Sequence, residues 1–257
     1  MFISSPFLRG VVVTILWQTE IPRQIYARLY CSWRRVRREV EILRDVFRKY
    51  GARKLIEFGC GLGRHGYLMA REGFDVLLTD VEDWRFGVAK KLPFAKLDIL
   101  NDSSEVNGVF DGGYAVNFLI IFSYNDMVKA LKNIGKVIGR GIFVADYNFE
   151  LYNEPREVEV HIGGRIYRAV LESENVTHID GGVLYGYRIK VVDSMDRVVG
   201  VEEASYPVYK KEVVLRAIQE AGFKVLDIIW ATWDPVKYMY RLARRESDSA
   251  FIVMARV

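Results

Sequence analysis

Apolar and polar residues change their period along this chain, and the changes mark the predicted elements. Between residues 25 and 50, apolar side chains recur at helical spacing, at Val36, Val40, Leu43, Phe47 and Tyr50. From residue 51 to residue 148, apolar runs of strand length alternate with helical segments. This alternation is typical of an α/β fold with a mostly parallel sheet.

The period becomes two in the next part of the chain, between residues 155 and 207. Four short segments separated by turns alternate apolar and polar residues: 157–162, 165–170, 184–192 and 198–201. We predict an antiparallel β insertion there. Beyond it, residues 211–222 have the pattern of a helix that ends at a glycine, and two strands follow at 223–230 and 250–257.

The most informative segment joins the apolar run 54–58 to a turn dense in glycine. Gly59, Gly61 and Gly63 occupy alternate positions after Glu57. Glycine permits positive φ and lets a ligand approach main-chain N–H groups. The pattern therefore predicts a nucleotide-cofactor site at this turn.

Two cofactors fit the turn when it is considered alone. Residues 61–66 match G-x-G-x-x-G, and Asp80 follows at the spacing that a dinucleotide site requires. An NAD(P)-dependent oxidoreductase is therefore an alternative. This interpretation as an oxidoreductase gives no role to Glu57, Gly59 or Asp98, and it does not predict the final pair of strands.

The fuller string Glu57-x-Gly59-x-Gly61-x-Gly63 resembles motif I of the class I S-adenosylmethionine (SAM)-dependent methyltransferases. The resemblance extends over residues 53–148 and resumes from residue 210 to the end. It implies a Rossmann-like fold with a mostly parallel seven-stranded sheet whose last strand is reversed. It also implies that the chain is an enzyme with SAM as its cofactor.

The resemblance assigns residues in the turn, at strand ends and near the N-terminus to the cofactor: Tyr26, Tyr30, Glu57, Gly59, Gly61, Leu62, Gly63, Asp80, Asp98, Asn117 and Phe118. It implies that Asp80 binds the ribose, Asp98 the adenine and Glu57 the amino end of the methionine part. Tyr26 and Tyr30 belong to a segment similar to the Y-D-x-x-Y element of small-molecule methyltransferases. Packing of a helix on the sheet explains these two tyrosines equally well.

A methyl acceptor that loses a proton needs a base within hydrogen-bond reach. Asp146 and Tyr147 lie near the carboxyl end of the fifth predicted strand, at the edge where ligands gather in open α/β sheets. His161 is a third candidate, although a solvated strand-edge position explains it more simply. The sequence contains neither the Asp-Pro-Pro-Tyr nor the Asn-Pro-Pro-Tyr signature of nucleobase methylation, and this favours a small-molecule acceptor methylated on N or O.

Length and composition indicate one domain with an elaboration, since the chain has 257 residues and is 51% hydrophobic. We assign residues 1–50 to an N-terminal segment and helical cap. Residues 51–257 form the SAM-binding domain, with the β insertion at about 155–207. The insertion is expected to cover the acceptor or to form a homodimer interface.

The apolar run Phe7–Trp17 is interrupted by Arg9 and is too short to span a bilayer. It also lacks the small-residue cleavage site of a signal peptide. We expect a strand or lid segment in a cytoplasmic protein. Scarce Gln with abundant Arg is compatible with a thermophilic source.

The formal charge of +4 permits a nucleic-acid partner without requiring one. Seven basic residues lie on the predicted N-terminal helix: Arg34, Arg35, Arg37, Arg38, Arg44, Arg48 and Lys49. An RNA methyltransferase that uses this face is an alternative, and a solvated helix face is the simpler interpretation. A non-catalytic SAM-binding partner subunit also stays open. Cys31 and Cys60 give no disulfide or metal-ligand pattern.

Overall fold

A computed structural model of the chain describes residues 3–4, 14–101, 106, 109–151, 156–234 and 239–257, with side chains from Gln18 onward. The strands in these residues are β1 (Ile3–Ser4), β2 (Thr14–Thr19), β3 (Lys54–Phe58), β4 (Asp75–Asp80), β5 (Phe94–Lys96), β6 (Gly112–Ala115), β7 (Ile142–Asn148), β8 (Glu157–Ile162), β9 (Arg165–Ile179), β10 (Gly182–Asp193), β11 (Val198–Tyr209), β12 (Phe223–Asp234), β13 (Met239–Leu242) and β14 (Ser249–Arg256). The α-helices are α1 (Arg23–Leu29), α2 (Trp33–Lys49), α3 (Arg64–Arg71), α4 (Tyr124–Ile138) and α5 (Lys211–Glu220).

Eight of these strands form the main sheet, in the order β13-β12-β14-β7-β6-β3-β4-β5. The strands from β7 to β5 are parallel to one another. β14 is antiparallel to both of its neighbours, β7 and β12. The predicted seven-stranded sheet with a reversed last strand is thus confirmed, and β13 adds an eighth strand beside β12.

Helices cover both faces of the main sheet, as its mostly parallel strands require. α4 and α5 pack with Phe143 and Ile252 on one face. α2 and α3 pack with Leu55 and Phe251 on the other. Because Phe251 and Ile252 are consecutive on β14, their placement on opposite faces follows from the two-residue period of a strand. No helix in the described part of the chain combines the length and apolar content needed to cross a membrane.

A second, antiparallel sheet has the order β1-β2-β11-β10-β9-β8, and we call it the lid sheet. Strands β8 to β11 form the predicted insertion. β9 continues to Ile179, well beyond the residues whose pattern predicted it. Arg188 and Lys190 of β10 form ion pairs with Glu172 of β9 in this extension. Its side chains are mostly exposed, so no core imposes an alternating pattern on the sequence.

The N-terminal segment joins the lid sheet through β2. Its Thr19 pairs with Glu202 of β11, and Leu16 pairs with Ser205. Residues 7–13 of the predicted apolar segment lie outside the described residues. β2 thus places the N-terminal part of the chain beside the insertion, and no local pattern indicated this pairing.

Helix α1 lies between the lid sheet and the glycine turn. Ile25 of α1 shares one apolar cluster with Leu62 of the turn and with Val160 and Val191 of the lid sheet. The Arg64 guanidinium, at the start of α3, donates a hydrogen bond of 2.8 Å to the Ala27 carbonyl. The lid sheet is therefore attached to the turn through α1.

The central position of β14 predicts a large effect of truncating its core side chain. Ile252→Ala should lower the free energy of unfolding by about 2–5 kcal/mol, because the fully buried side chain leaves a cavity. Leu226→Ala on β12 is the control; Leu226 is 40% exposed, and its loss should cost under about 1 kcal/mol. Urea unfolding measures both. Equal losses would contradict the buried position of Ile252.

Candidate functional site

Three glycines of the turn between β3 and α3 adopt left-handed conformations. Gly59, Gly61 and Gly63 have φ values of 65°, 50° and 71°. A Cβ added at Gly59 would lie 2.2 Å from the Phe118 ring, and one at Gly63 would lie 2.9 Å from Ala89 Cβ. At Gly61 an added Cβ would meet no described atom within 4 Å. The first and third glycines therefore permit close packing, and Gly61 faces open space.

Asp80 at the end of β4 faces the same turn. Its Oδ2 accepts a hydrogen bond of 2.8 Å from the Gly61 N–H, and its Oδ1 accepts one of 2.8 Å from the Val81 N–H. Burial raises the pKa of Asp80, and the backbone N–H groups of Gly61, Val81 and Glu82 oppose that rise. The carboxyl group is therefore fixed beside the open space at Gly61.

Asp98 lies near Asp80, just beyond the end of β5. The preceding Leu97 N–H donates a hydrogen bond of 2.9 Å to the Asp80 carbonyl. The Asp98 carboxylate accepts hydrogen bonds from the Leu100 N–H at 3.0 Å and from the Asn101 side-chain amide at 2.8 Å. The structure thus brings Asp80 and Asp98, the residues predicted to bind the ribose and the adenine, to one edge of the sheet. A short 3-10 turn at Gly87–Lys91 connects β4 and β5 in place of an α-helix.

The segment after β6 borders the turn from the other side. The Phe118 ring lies against Gly59, and Asn117 has a φ of 53°. The Asn117 N–H donates a 2.6 Å hydrogen bond to Asp146 Oδ1, and the Tyr240 hydroxyl donates one of 3.0 Å to Oδ2. Burial raises the pKa of Asp146 to about 6. Asp146 therefore holds Asn117 in its left-handed conformation.

A chain of buried polar side chains runs beneath the turn, and we call it the buried ionic chain. Arg35 Nε donates to Glu39 Oε1 at 2.7 Å, and Glu39 Oε2 lies 2.7 Å from His65 Nε2. His65 Nδ1 lies 3.9 Å from Glu57 Oε1, and the Tyr114 hydroxyl donates to Glu57 Oε2 at 3.2 Å. The buried ionic chain connects α2, α3, β3 and β6.

Burial and neighbouring charges act in opposite directions on the pKa values in this chain. Burial raises the pKa of Glu57 to about 7, although His65 opposes the rise. Burial would lower the pKa of His65, but Glu39 and Glu57 hold it above its usual value. Burial would raise the pKa of Glu39, but Arg35 and His65 lower it. The protonation state of each side chain in the buried ionic chain therefore depends on the other side chains in it.

Glu57 makes its contacts with the protein. Its carboxylate accepts from the Gly66 N–H as well as from Tyr114, and the residue is 2% exposed. It joins the end of β3 to the first turn of α3. A direct contact between Glu57 and the amino end of SAM stays a prediction.

Arg35 and Glu39 are site residues whose place the sequence analysis missed. Arg35 was grouped with a solvated basic face, yet it is 6% exposed and Glu39 is 0% exposed. The sequence feature that could have indicated their burial is their i, i+4 spacing beside the apolar stripe of Val36 and Val40. On a helix covered on two sides, such a pair can be buried together.

Other basic side chains of α2 are paired with acids. Arg38 pairs with Glu41 and Lys49 pairs with Asp227. Arg44 and Arg48 both pair with Glu72. Acidic neighbours thus offset much of the positive charge of this face, and its use by RNA stays a prediction.

A cavity of about 240 Å³ lies between the main sheet and the lid sheet. Aromatic residues from both sides line it: Tyr26, Tyr30, Tyr185, Tyr187, Tyr206 and Trp233. Asn117 lines it as well. Three of the residues predicted to contact the cofactor, Tyr26, Tyr30 and Asn117, are therefore also walls of this cavity.

Tyr147 and His161 lie away from the cavity. Tyr147 is 2% exposed in the core beside α4 and α5, and its hydroxyl accepts a hydrogen bond of 3.2 Å from the Tyr209 N–H. His161 is exposed on β8 and lies 3.3 Å from Glu159. A catalytic role for either residue stays a prediction.

Solved structures share the fold of this chain over most of its length. A SAM-dependent methyltransferase from Clostridium acetobutylicum covers 91% of this chain and 96% of its own, with a TM-score of 0.67 at 14% identity. The sugar N-methyltransferase KedS8 from Streptoalloteichus covers 100% and 98%, with a TM-score of 0.66 at 16% identity. The fold is that of the class I SAM-dependent methyltransferases.

A third structure with this class I methyltransferase fold is SAM-bound CalS10, an amino pentose methyltransferase from Micromonospora echinaspora. It covers 85% of this chain and 90% of its own, with a TM-score of 0.59 at 15% identity. No family model matches the sequence, and no curated protein sequence matches it. At these identities the likeness shows the fold, and the chemistry must be argued from the site.

The buried ionic chain predicts a pH-dependent stability. The pKa of Glu57 is about 7 in the folded protein and about 4.3 in an unfolded chain. Between these values the folded state binds more protons, so the free energy of unfolding falls as pH rises. His65 acts in the same direction, because its raised pKa gives stability that is lost as pH rises through the folded value.

Glu57→Gln should therefore reduce the loss of stability between pH 5 and pH 8 by about 1–3 kcal/mol, as measured by urea unfolding at each pH. Glu212→Gln, on a side chain that is 74% exposed, should keep the wild-type slope. A slope unchanged by Glu57→Gln would show that Glu57 does not titrate in this range.

Proposed function

We propose that this chain is a SAM-dependent methyltransferase that methylates a small molecule on N or O. The open space at Gly61, beside the fixed carboxyl group of Asp80, is the observation on which the proposal depends. A cofactor with a ribose and a charged amino-acid end needs both an approachable main chain and a hydrogen-bond acceptor. The residues present therefore fit SAM.

The protein groups have separate tasks in this proposal. The turn from Gly59 to Gly63 holds the amino-acid end of the cofactor, Asp80 holds the ribose and Asp98 holds the adenine. SAM supplies a methyl group activated by its sulfonium. Tyr26 of α1 and Tyr30, the residue after this helix, line the cavity, and Asp146 positions Asn117 in the same wall. The chain's main contribution is then orientation and the exclusion of water.

The size of the cavity supports a small acceptor. The volume of about 240 Å³ lies just below the range of about 300–1,000 Å³ that is usual for ligand pockets, and the lid sheet closes one side of the cavity. KedS8 is a sugar N-methyltransferase and CalS10 an amino pentose methyltransferase, so two proteins of similar fold act on small polar molecules. A homodimer through the lid sheet and a cytoplasmic location stay predictions.

Thermal unfolding with SAM, S-adenosylhomocysteine, NAD or NADP tests the cofactor. At 100 times the dissociation constant, SAM or S-adenosylhomocysteine should stabilise the protein by about 2.7 kcal/mol. Because each kcal/mol raises the Tm of a chain of this size by about 2–4 °C, the Tm should then rise by about 5–11 °C. NAD and NADP should give no shift. A shift with a nicotinamide cofactor alone would overturn the proposal, and SAM binding without turnover of any acceptor would favour a non-catalytic partner subunit.

Gly61→Ala tests the position of the cofactor, because a methyl group there enters the open space. SAM affinity measured by calorimetry should fall at least about tenfold, which corresponds to about 1.4 kcal/mol. Gly73→Ala is the matched control: Gly73 has a φ of 93° and equally open surroundings, but it lies at the other end of α3. Both variants should lose about 1–2 kcal/mol of stability through backbone strain. Equal SAM affinity in the two variants would show that the cofactor does not bind beside Gly61.

A further inference from the structure

Glu202 of β11 is a buried acid in the wall of the cavity. It is 1% exposed, and its Oε1 accepts a 2.7 Å hydrogen bond from the Tyr187 hydroxyl. Its Oε2 is also buried and has no hydrogen-bond partner among the described residues. The next residue, Glu203, is partly exposed and forms an ion pair with Arg188. The two neighbouring acids therefore have opposite environments.

A buried carboxylate with an unsatisfied oxygen is costly, and buried charges in proteins are usually paired. The cavity offers Glu202 little compensation from the protein. Among the described residues that line it, Arg35 alone is basic, and the Arg35 guanidinium is paired with Glu39. Glu150 adds a second acid to the wall. The cavity therefore has an excess of negative groups and favours a positively charged ligand.

The aromatic walls support the same preference. Tyr26 and Tyr30 have ring centroids 4.8 Å apart, and Tyr187 and Tyr206 have theirs 6.3 Å apart. Aromatic faces attract cations, and rings grouped around a carboxylate are a common arrangement for binding alkylammonium groups. A purely apolar ligand would leave the buried oxygen of Glu202 without a partner.

We propose that the cavity binds a small molecule with a protonated amine, held by Glu202 and surrounded by the tyrosines. The inference rests on the proposed function, for which it names the substrate class. A hydroxyl compound without an amine could also donate to Glu202. It would bind more weakly, because it does not neutralise the buried charge.

Two probes of equal shape test the preference. Cyclohexylamine is protonated at pH 7, and cyclohexanol has the same ring with a neutral donor. Titrations followed by NMR in the presence of S-adenosylhomocysteine should show the amine binding at least tenfold more tightly to the wild-type protein. Glu202→Gln keeps the shape of the side chain and should bring this ratio close to one. Glu203→Gln, one residue along β11, should leave the ratio unchanged.

The outcomes separate this inference from the proposed function. Equal binding of the two probes to the wild-type protein, or no binding of either, overturns the inference without any variant. A ratio unaffected by Glu202→Gln overturns the role of Glu202. SAM affinity is measured separately on the same protein preparations, without S-adenosylhomocysteine. If SAM binds while the amine preference is absent, only the inference fails; if SAM does not bind, the proposed function fails and the probe ratio still reports on Glu202.

Discussion

The buried ionic chain of Arg35, Glu39, His65 and Glu57 is the constraint on which the site geometry depends. It joins α2, α3 and β3 directly beneath the glycine turn. Removing one member of a buried pair leaves an uncompensated charge, which typically costs about 3–5 kcal/mol. The three elements must therefore keep their relative positions. The open space at Gly61 and the place of Asp80 beside it follow from that arrangement.

Helix α1 links the glycine turn to the cavity that is proposed to bind the acceptor. It packs on Leu62 of the turn and on Val160 of the lid sheet, and its Tyr26 lines the cavity together with Tyr30, the residue that follows the helix. One short helix thus forms a wall of both the proposed cofactor site and the proposed acceptor site. Movement of the lid sheet would shift residues at both, so the two sites are mechanically coupled through packing.

The sequence predicted the parts of the fold that depend on contiguous patterns. The glycine turn, Asp80 and Asp98 could each be recognised because neighbouring residues define them, and the reversed last strand was implied by the resemblance to the class I methyltransferases. The burial of Arg35 could not, since it depends on what packs against α2. The length of β9 and the pairing of β2 with β11 could not be predicted either. Both are decided by a distant strand that supplies backbone hydrogen bonds, and exposed strands have little side-chain pattern.

The pairing of β2 with β11 has a practical consequence for handling this protein. Thr19 lies opposite Glu202, and the Glu20 N–H donates a hydrogen bond of 2.8 Å to the Val201 carbonyl. β2 therefore shields the backbone of the strand that supplies the cavity's buried acid. A truncation that deleted Thr14–Thr19 would turn β11 into an unprotected sheet edge open to foreign strands. Such a shortened chain would keep its glycine turn and lose the support of its acceptor wall.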